Sequence, residues 1–186
     1  DKAARIATNA RNHQNKMIDQ SVRFLCGKIE KECLDENKVL LLALDDDESR
    51  YVNPNLTGLI AMKLCQMYNR PAIVIRLADD DVFKGSFRVN SNSPLANFKD
   101  FCTESGLVEY AEGHESAAGI GIAEKNLNKF IKYCNKKLAN INLGENSYLV
   151  DFEFDGNFCG DIESICVDLD AIKNVYGKGI EEPKVI

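Results

Sequence analysis

Two short stretches of the sequence combine glycine with polar side chains that suit an anion. One reads KGSFR, at residues 84–88, and the other reads GHESAAG, at residues 113–119. Glycine lets a backbone approach a ligand closely, a hydroxyl or an imidazole can donate a hydrogen bond, and a guanidinium matches two phosphate oxygens. Together the stretches predict a phosphate-binding site formed by Gly85, Ser86, Arg88, Gly113 and His114.

The first stretch falls within Val82–Val89, which has the pattern of a strand entered from a turn at residues 78–81. Because alternate residues of a strand face the same way, we expect Ser86 and Arg88 to project together, with Gly85 leaving room beside them. Gly-Ser-x-Arg is a short pattern, and an ordinary surface arginine would also satisfy it.

The second stretch places His114 just before Ala117–Ile122, a run of small residues and isoleucines. Such a run predicts a strand that packs closely behind a loop carrying the histidine. A single histidine is compatible with a structural role as well as with ligand binding.

The elements that position these residues predict an α/β fold. Val39–Leu44 and Ala72–Leu77 are apolar runs of strand length, and between them Asn53–Asn55 begins a helix that ends before Pro71. Strand, helix and strand in this order form a right-handed crossover, so the two strands should be parallel neighbours. We therefore predict a mixed, mainly parallel sheet flanked by helices.

Three further helices are predicted from apolar residues at steps of three and four: a long one over residues 2–34, and shorter ones at Leu95–Glu104 and Glu124–Ile141. The polar first half of the long helix contains His13, which we interpret as a surface or interface residue. Beyond them, the pattern predicts a strand at Ser147–Phe154 and a short helix at Asp168–Tyr176.

Composition narrows the classes of function. The seven cysteines include no pair separated by two residues, which argues against a disulfide framework and a zinc knuckle and favours free thiols in a reducing cytoplasm. The chain has a net charge of −6, which argues against a broad basic face that binds nucleic acid, so a polyanion would need a local site.

No apolar run approaches the roughly 20 residues that span a bilayer, so no membrane partner is expected. The acidic run Asp45–Glu48 is interpreted as solvated, not as a metal site.

Taken in order, the motifs resemble the DHH-associated domain of RecJ-like single-strand-specific exonucleases. The resemblance rests on KGSFR followed by GHESAAG, with Pro71–Val74 ahead of them and Asn53–Gly58 opening the earlier helix, and it covers about Lys38 to Leu138. By this resemblance residues 1–37 are a helix connecting from a DHH catalytic domain, residues 38–142 the DHH-associated domain, and residues 143–186 an extension and linker toward an oligonucleotide-binding domain. The chain is then expected to be part of a longer protein.

The resemblance also implies roles for the motifs. In such enzymes a separate DHH domain binds two manganese or magnesium ions and activates water, while the associated domain holds substrate phosphate through Gly-Ser-x-Arg and Gly-Gly-His motifs. Carried over by position, the first motif matches Gly85, Ser86 and Arg88, and the second matches Gly113 and His114. Glu112 replaces a further glycine of the family pattern, which predicts a differently shaped glycine loop. The sequence has no DHH motif, so we expect no catalytic residue, no bound cofactor and no metal ligand here, and no activity from this fragment alone.

The implied parent protein is a metal-dependent exonuclease that hydrolyses single-stranded DNA, from the 5′ end by analogy, in cytoplasmic DNA repair or recombination. Its partners would be a phosphorylated DNA end and the DHH domain of the same chain. Two alternatives remain open: a DHH phosphodiesterase for short oligonucleotides or cyclic dinucleotides, and a non-catalytic nucleic-acid-binding module like the appendage of alanyl-tRNA synthetases. A third alternative is an α/β domain whose glycines serve packing alone.

Overall fold

The computed structural model of the chain describes residues 2–78, 81–90, 93–95 and 97–143. Contacts divide the chain into two compact units, Asp1–Leu143 and Gly144–Ile186. The strand predicted at Ser147–Phe154 and the helix predicted at Asp168–Tyr176 lie outside the described residues.

Five strands form one sheet, and helices pack on both of its faces. The sheet order is β1-β2-β3-β5-β4. In chain order the elements are α1 (Lys2–Glu32), β1 (Leu40–Leu44), α2 (Asp46–Ser49), α3 (Thr57–Tyr68), β2 (Ala72–Leu77), β3 (Val82–Arg88), α4 (Phe98–Glu104), β4 (Tyr110–His114), β5 (Ala117–Ala123) and α5 (Glu124–Lys137).

The strand pairing is mixed, as predicted, but it is not mainly parallel. Only β1 and β2, which α3 connects, are parallel. The pairs β2–β3, β3–β5 and β4–β5 are antiparallel. Two of these pairs are joined by short turns, and a short turn can connect only antiparallel neighbours, whereas parallel strands need a long crossover. The long first helix and the flanking helices are confirmed.

Each face of the sheet has its own apolar core. On one face, α4 and α5 pack in a core with alternate residues of all five strands: Leu41, Ile73, Ile75, Phe83, Phe87, Ala118, Ile120 and Ile122, with Ala111 partly buried. On the other face, α1 and α3 pack against Leu40, Leu42, Leu44, Ala72 and Val74. This second core includes no described residue of β3, β4 or β5. On the α1/α3 side, β3, β4 and β5 therefore contribute no residue to the apolar core, although α3 contacts β3.

The predicted position of His114 needs a correction. It does not lie in a loop, because it is the last residue of β4 and a two-residue turn, Glu115–Ser116, leads directly into β5. The glycine and histidine of the second motif are thus paired with β5, at Ala118 and Ala117.

Two other expectations can be compared with the structure. The five cysteines in the described part of the chain are free thiols, as predicted. None of the described helices has both the length and the apolar character required to span a membrane.

Candidate functional site

The strand register brings the two predicted motifs to one face of the sheet. Arg88 lies beside Ala117 of β5, which lies beside His114 of β4. Directly paired residues project to the same side, so the guanidinium and the imidazole share a face two strands apart. Neighbouring strands are about 4.8 Å apart, which puts the two Cα atoms at about 10 Å. Ser86 is two residues from Arg88 and shares its face, as predicted.

A shallow groove follows β5 between the side chains of its two neighbours. We call it the β5 groove: its floor is Ala117, Gly119 and Gly121, and its walls are Lys84, Ser86 and Arg88 on β3 and Tyr110, Glu112 and His114 on β4. A Cβ atom on Gly119 would meet only two atoms within 4 Å, Glu112 O at 3.7 Å and Gly85 O at 3.8 Å. The fold therefore does not require glycine at this position, because a Cβ atom there would make only ordinary van der Waals contacts.

One end of the β5 groove is closed by an aromatic ring. The ring of Tyr110 packs on Gly121, where a Cβ atom would collide with it. Burial raises the pKa of the Tyr110 hydroxyl, and the nearby charge of Glu112 raises it further. The phenol therefore stays neutral at physiological pH.

Ser86 is tied to the beginning of α3. Its Oγ lies 3.0 Å from Oγ1 of Thr57, and Thr57 Oγ1 also lies 3.2 Å from the carbonyl oxygen of Pro54, to which it can donate. A hydroxyl has a single proton, so Thr57 can donate to Pro54 or to Ser86 but not to both. Ser86 is therefore free to donate to a ligand when Thr57 donates to Ser86.

The guanidinium of Arg88 is held over the first turn of α3. Its Nη1 donates to the carbonyl oxygen of Phe87 at 2.7 Å. A Cβ atom on Gly58 would be 2.5 Å from Nη2, so the absence of a side chain at Gly58 gives the guanidinium its place. Partial burial lowers the pKa of Arg88, but arginine stays charged because its pKa starts so high. Within the described ranges no ion pair involves this guanidinium, so its charge is not neutralised by a carboxylate.

The two motif glycines fit closely against neighbouring strands. A Cβ atom on Gly85 would collide with the carbonyl oxygen of Val74 on β2. Gly113 has φ +138°, a value that favours glycine, and a Cβ atom there would be 2.9 Å from Ala117 O and from Ala118 Cα. Both glycines therefore have a packing role in the sheet, and their direct contact with a ligand stays a prediction.

The β4 wall is exposed to solvent. Both Glu112 and His114 are exposed, and Glu112 stands across Gly119 from Ser86. The glutamate that replaces a glycine of the family pattern therefore projects into the β5 groove and contributes a negative charge to it. The groove as a whole offers hydrogen-bond donors and cations suited to binding an anion.

The described residues do not provide a metal centre. They contain no group of three or more histidine, cysteine, aspartate or glutamate side chains placed to hold an ion. In the acidic run, Asp45 Oδ1 accepts from the backbone N–H of Glu48 and begins α2, while Glu48 pairs with Lys28 at 2.6 Å. His13 is exposed on α1.

Sequence reasoning gave no role to Thr57 and Gly58, although both lie in the stretch that supports the resemblance. Their contacts with Ser86 and Arg88 span about thirty residues of sequence. The small residues at the start of α3 indicate that a side chain from elsewhere in the chain packs closely there, but the sequence does not indicate which side chain.

The fold defined by this sheet and its helices is that of part of RecJ. The crystal structure of RecJ in complex with Mg²⁺ from Thermus thermophilus matches 92% of this chain with a TM-score of 0.55 and 19% identity, over 25% of its own chain. The structure of RecJ in complex with Mn²⁺ from the same organism matches 92% of this chain with a TM-score of 0.53 and 20% identity, over 24% of its own chain.

Curated proteins point to the same family. Over 184 residues, 97% of this chain, the sequence is 30% identical to YorK of Bacillus subtilis strain 168, named as an SPbeta prophage-derived single-strand DNA-specific exonuclease, and to yorK of Bacillus phage SPbeta. The chain spans 31% of the length of these relatives. No protein-family model matches the chain. The likeness in sequence and in fold confirms that the chain resembles part of a RecJ-like exonuclease.

Proposed function

We propose that this chain is the substrate-binding part of a RecJ-like exonuclease that hydrolyses phosphodiester bonds of single-stranded DNA. The observation that carries the proposal is the placement of Ser86, Arg88 and His114 on one face of the sheet, beside the small residues of β5. The names of the curated relatives support single-stranded DNA as the substrate.

The charges of the β5 groove suggest where a phosphate would bind. Glu112 is paired with Gly119 of β5, and its carboxylate would repel an anion bound above Gly119. Arg88 and His114 are both paired with Ala117, the preceding groove residue of β5, and stand on either side of it. We therefore expect the phosphate above Ala117, with the planar fork of Arg88 on two of its oxygens and the imidazole of His114 donating from the opposite wall.

In this proposal hydrolysis is carried out elsewhere in the parent protein. Metal ions, manganese or magnesium, held by a separate DHH domain would activate water and stabilise the leaving oxygen. The present chain would bind a phosphorylated end of the strand and orient it toward that domain, and we expect digestion to proceed from the 5′ end. The free thiols fit a role in cytoplasmic DNA repair or recombination.

Binding of a 5′-phosphorylated single-stranded DNA, followed by fluorescence anisotropy, tests the proposal. A charge-assisted hydrogen bond contributes about 1.5–3 kcal/mol, so Arg88→Ala should weaken binding about ten- to one-hundredfold. Arg23→Ala is the matched control, because it removes the same charge from an exposed position on α1. Equal affinities of Arg88→Ala and the unsubstituted chain, with both folded by circular dichroism, would overturn the assignment.

The alternative function, a phosphodiesterase for short oligonucleotides, is tested on the parent protein. Manganese-dependent shortening of a long 5′-phosphorylated strand supports the exonuclease. Cleavage of a dinucleotide alone would transfer the assignment to the small-substrate enzymes, and cleavage of neither would favour a binding module.

A further inference from the structure

A second cationic site lies next to the β5 groove, at the carboxyl ends of β1 and β2. A cavity of about 500 Å³ opens there between α1 and the segment that joins β1 to α3. The residues that matter for its chemistry are Ser21, Ser49, Arg50, Tyr51, Asn53 and Arg76. Among the described residues that line it, the charged ones are the two arginines.

Arg76 is the central feature of this cavity. Its Nε atom is buried and has no hydrogen-bond partner in the described part of the chain. None of the ion pairs formed by the described residues includes it. A buried guanidinium nitrogen without a partner is unfavourable, because burial removes water that no protein acceptor replaces.

The neighbour of Arg76 on the next strand has the same charge. Lys84 of β3 is directly paired with Arg76 of β2, so both side chains leave the same face of the sheet. Like charges at directly opposed positions destabilise a strand pair. An anion bound between them would satisfy the unpartnered guanidinium nitrogen and remove this repulsion.

Most other polar groups of the cavity already have partners, which limits its donors to a few. Ser21 Oγ donates to the carbonyl oxygen of Tyr51 at 2.6 Å, and Ser49 Oγ donates to that of Leu44 at 3.3 Å. Asn53 Oδ1 accepts from the N–H of Asn55 at 2.9 Å, which leaves its Nδ2 as a donor. The available donors are thus two guanidinium groups, the side-chain amides of Asn53 and Gln20 and the hydroxyl of Tyr51, a set suited to phosphate oxygens.

The cavity and the β5 groove share one segment of the chain. Asn53 lines the cavity, while Thr57 and Gly58 of the same segment contact Ser86 and Arg88. Along β3, Lys84 is four residues from Arg88, about 14 Å at about 3.4 Å per residue. A single phosphate cannot bridge that distance.

We propose that the cavity around Arg76, together with Lys84, binds a second phosphate of the same single strand whose first phosphate lies beside Arg88. The inference rests on the proposed function and extends it to the length of the substrate. A strand that reaches both sites gains contacts that a dinucleotide cannot make. The chain therefore selects strands of several nucleotides.

The test compares two ligands, a 5′-phosphorylated strand of about eight nucleotides and a 5′-phosphorylated dinucleotide. Arg76→Gln should weaken binding of the longer strand about tenfold and leave the affinity for the dinucleotide unchanged. The slope of log K against log salt for the longer strand should also become less steep by about 0.7, the contribution of one phosphate contact on a single strand. Arg23→Gln is the matched control and should change neither quantity.

A further variant keeps the inference falsifiable. If Arg76→Gln unfolds, Arg50→Gln, at an exposed position that lines the same cavity, makes the same comparison. An equal loss for both ligands, or no loss for either, would overturn the second site. A loss with Arg88→Ala alone would support the β5 groove and remove this site, while no loss with any of these variants would remove both proposals.

Discussion

The two sides of strand β3 show how one segment can serve both stability and binding. Phe87 points toward α4, is fully buried, and meets Phe98 edge-to-face at a centroid distance of 5.1 Å. The side chains of Ser86 and Arg88, its immediate neighbours, point the other way and meet the first turn of α3. Adjacent residues of one strand therefore face an apolar core on one side and a polar surface on the other.

Strand β5 also has a core side and a groove side, and the residues on its groove side are small. Its core side carries Ala118, Ile120 and Ile122, all buried, whereas its groove side carries Ala117, Gly119 and Gly121. Helices α1 and α3 contribute their apolar residues to β1 and β2, so the groove side of β5 needs no large side chain to fill a core. A face that is not required for packing is available for a ligand.

The largest effect should come from the core side. Phe87→Ala should lower the free energy of unfolding by about 3–5 kcal/mol, because it leaves a cavity in a fully buried aromatic cluster. Ser86→Ala, one residue away on the groove side, should cost about 0.5–1.5 kcal/mol for the lost hydrogen bond to Thr57. Urea unfolding measures both, and equal losses would contradict the division between the two faces.

A substitution in the floor of the β5 groove should have a smaller effect, and it should act on DNA binding. Gly119→Leu should reduce the affinity for 5′-phosphorylated single-stranded DNA at least about tenfold, because its side chain would occupy the space above β5. The midpoint of urea unfolding of Gly119→Ala should change little, since a Cβ atom meets only ordinary contacts there. Gly119→Ala serves as the matched variant with a smaller loss of affinity. Unchanged binding by Gly119→Leu would show that the ligand does not enter the groove.

The smallest effect on stability is expected from a substitution on α1, far from both faces of β3. Gly27 lies on the exposed side of α1, and a Cβ atom there would meet nothing within 4 Å. Gly27→Ala should raise the free energy of unfolding by about 0.5–1 kcal/mol through helix propensity. DNA affinity should stay the same, so this variant gives the baseline against which the other substitutions are judged. A drop in affinity would mean that α1 takes part in binding.

Local patterns in the sequence predicted much of the fold. The apolar run at Ala72–Leu77 matches β2 residue for residue, and the turn at Asn53 begins the helical segment before α3. Alternation along β3 was enough to place Ser86 and Arg88 on one face, because the strand period of two is a local property. The motifs also carried the resemblance that the comparisons support.

The arrangement of the site depended on pairings between distant segments. Three arrangements depend on which strands are neighbours and in what register. They are the contact of Thr57 with Ser86, the placement of Arg88 and His114 on either side of Ala117, and the direct pairing of Arg76 with Lys84. A shift of one residue in a register would turn the side chains of that strand to the other face. Local periodicity gives the elements and their polar sides, whereas the packing of the whole sheet fixes the neighbours and therefore decides which polar side chains meet.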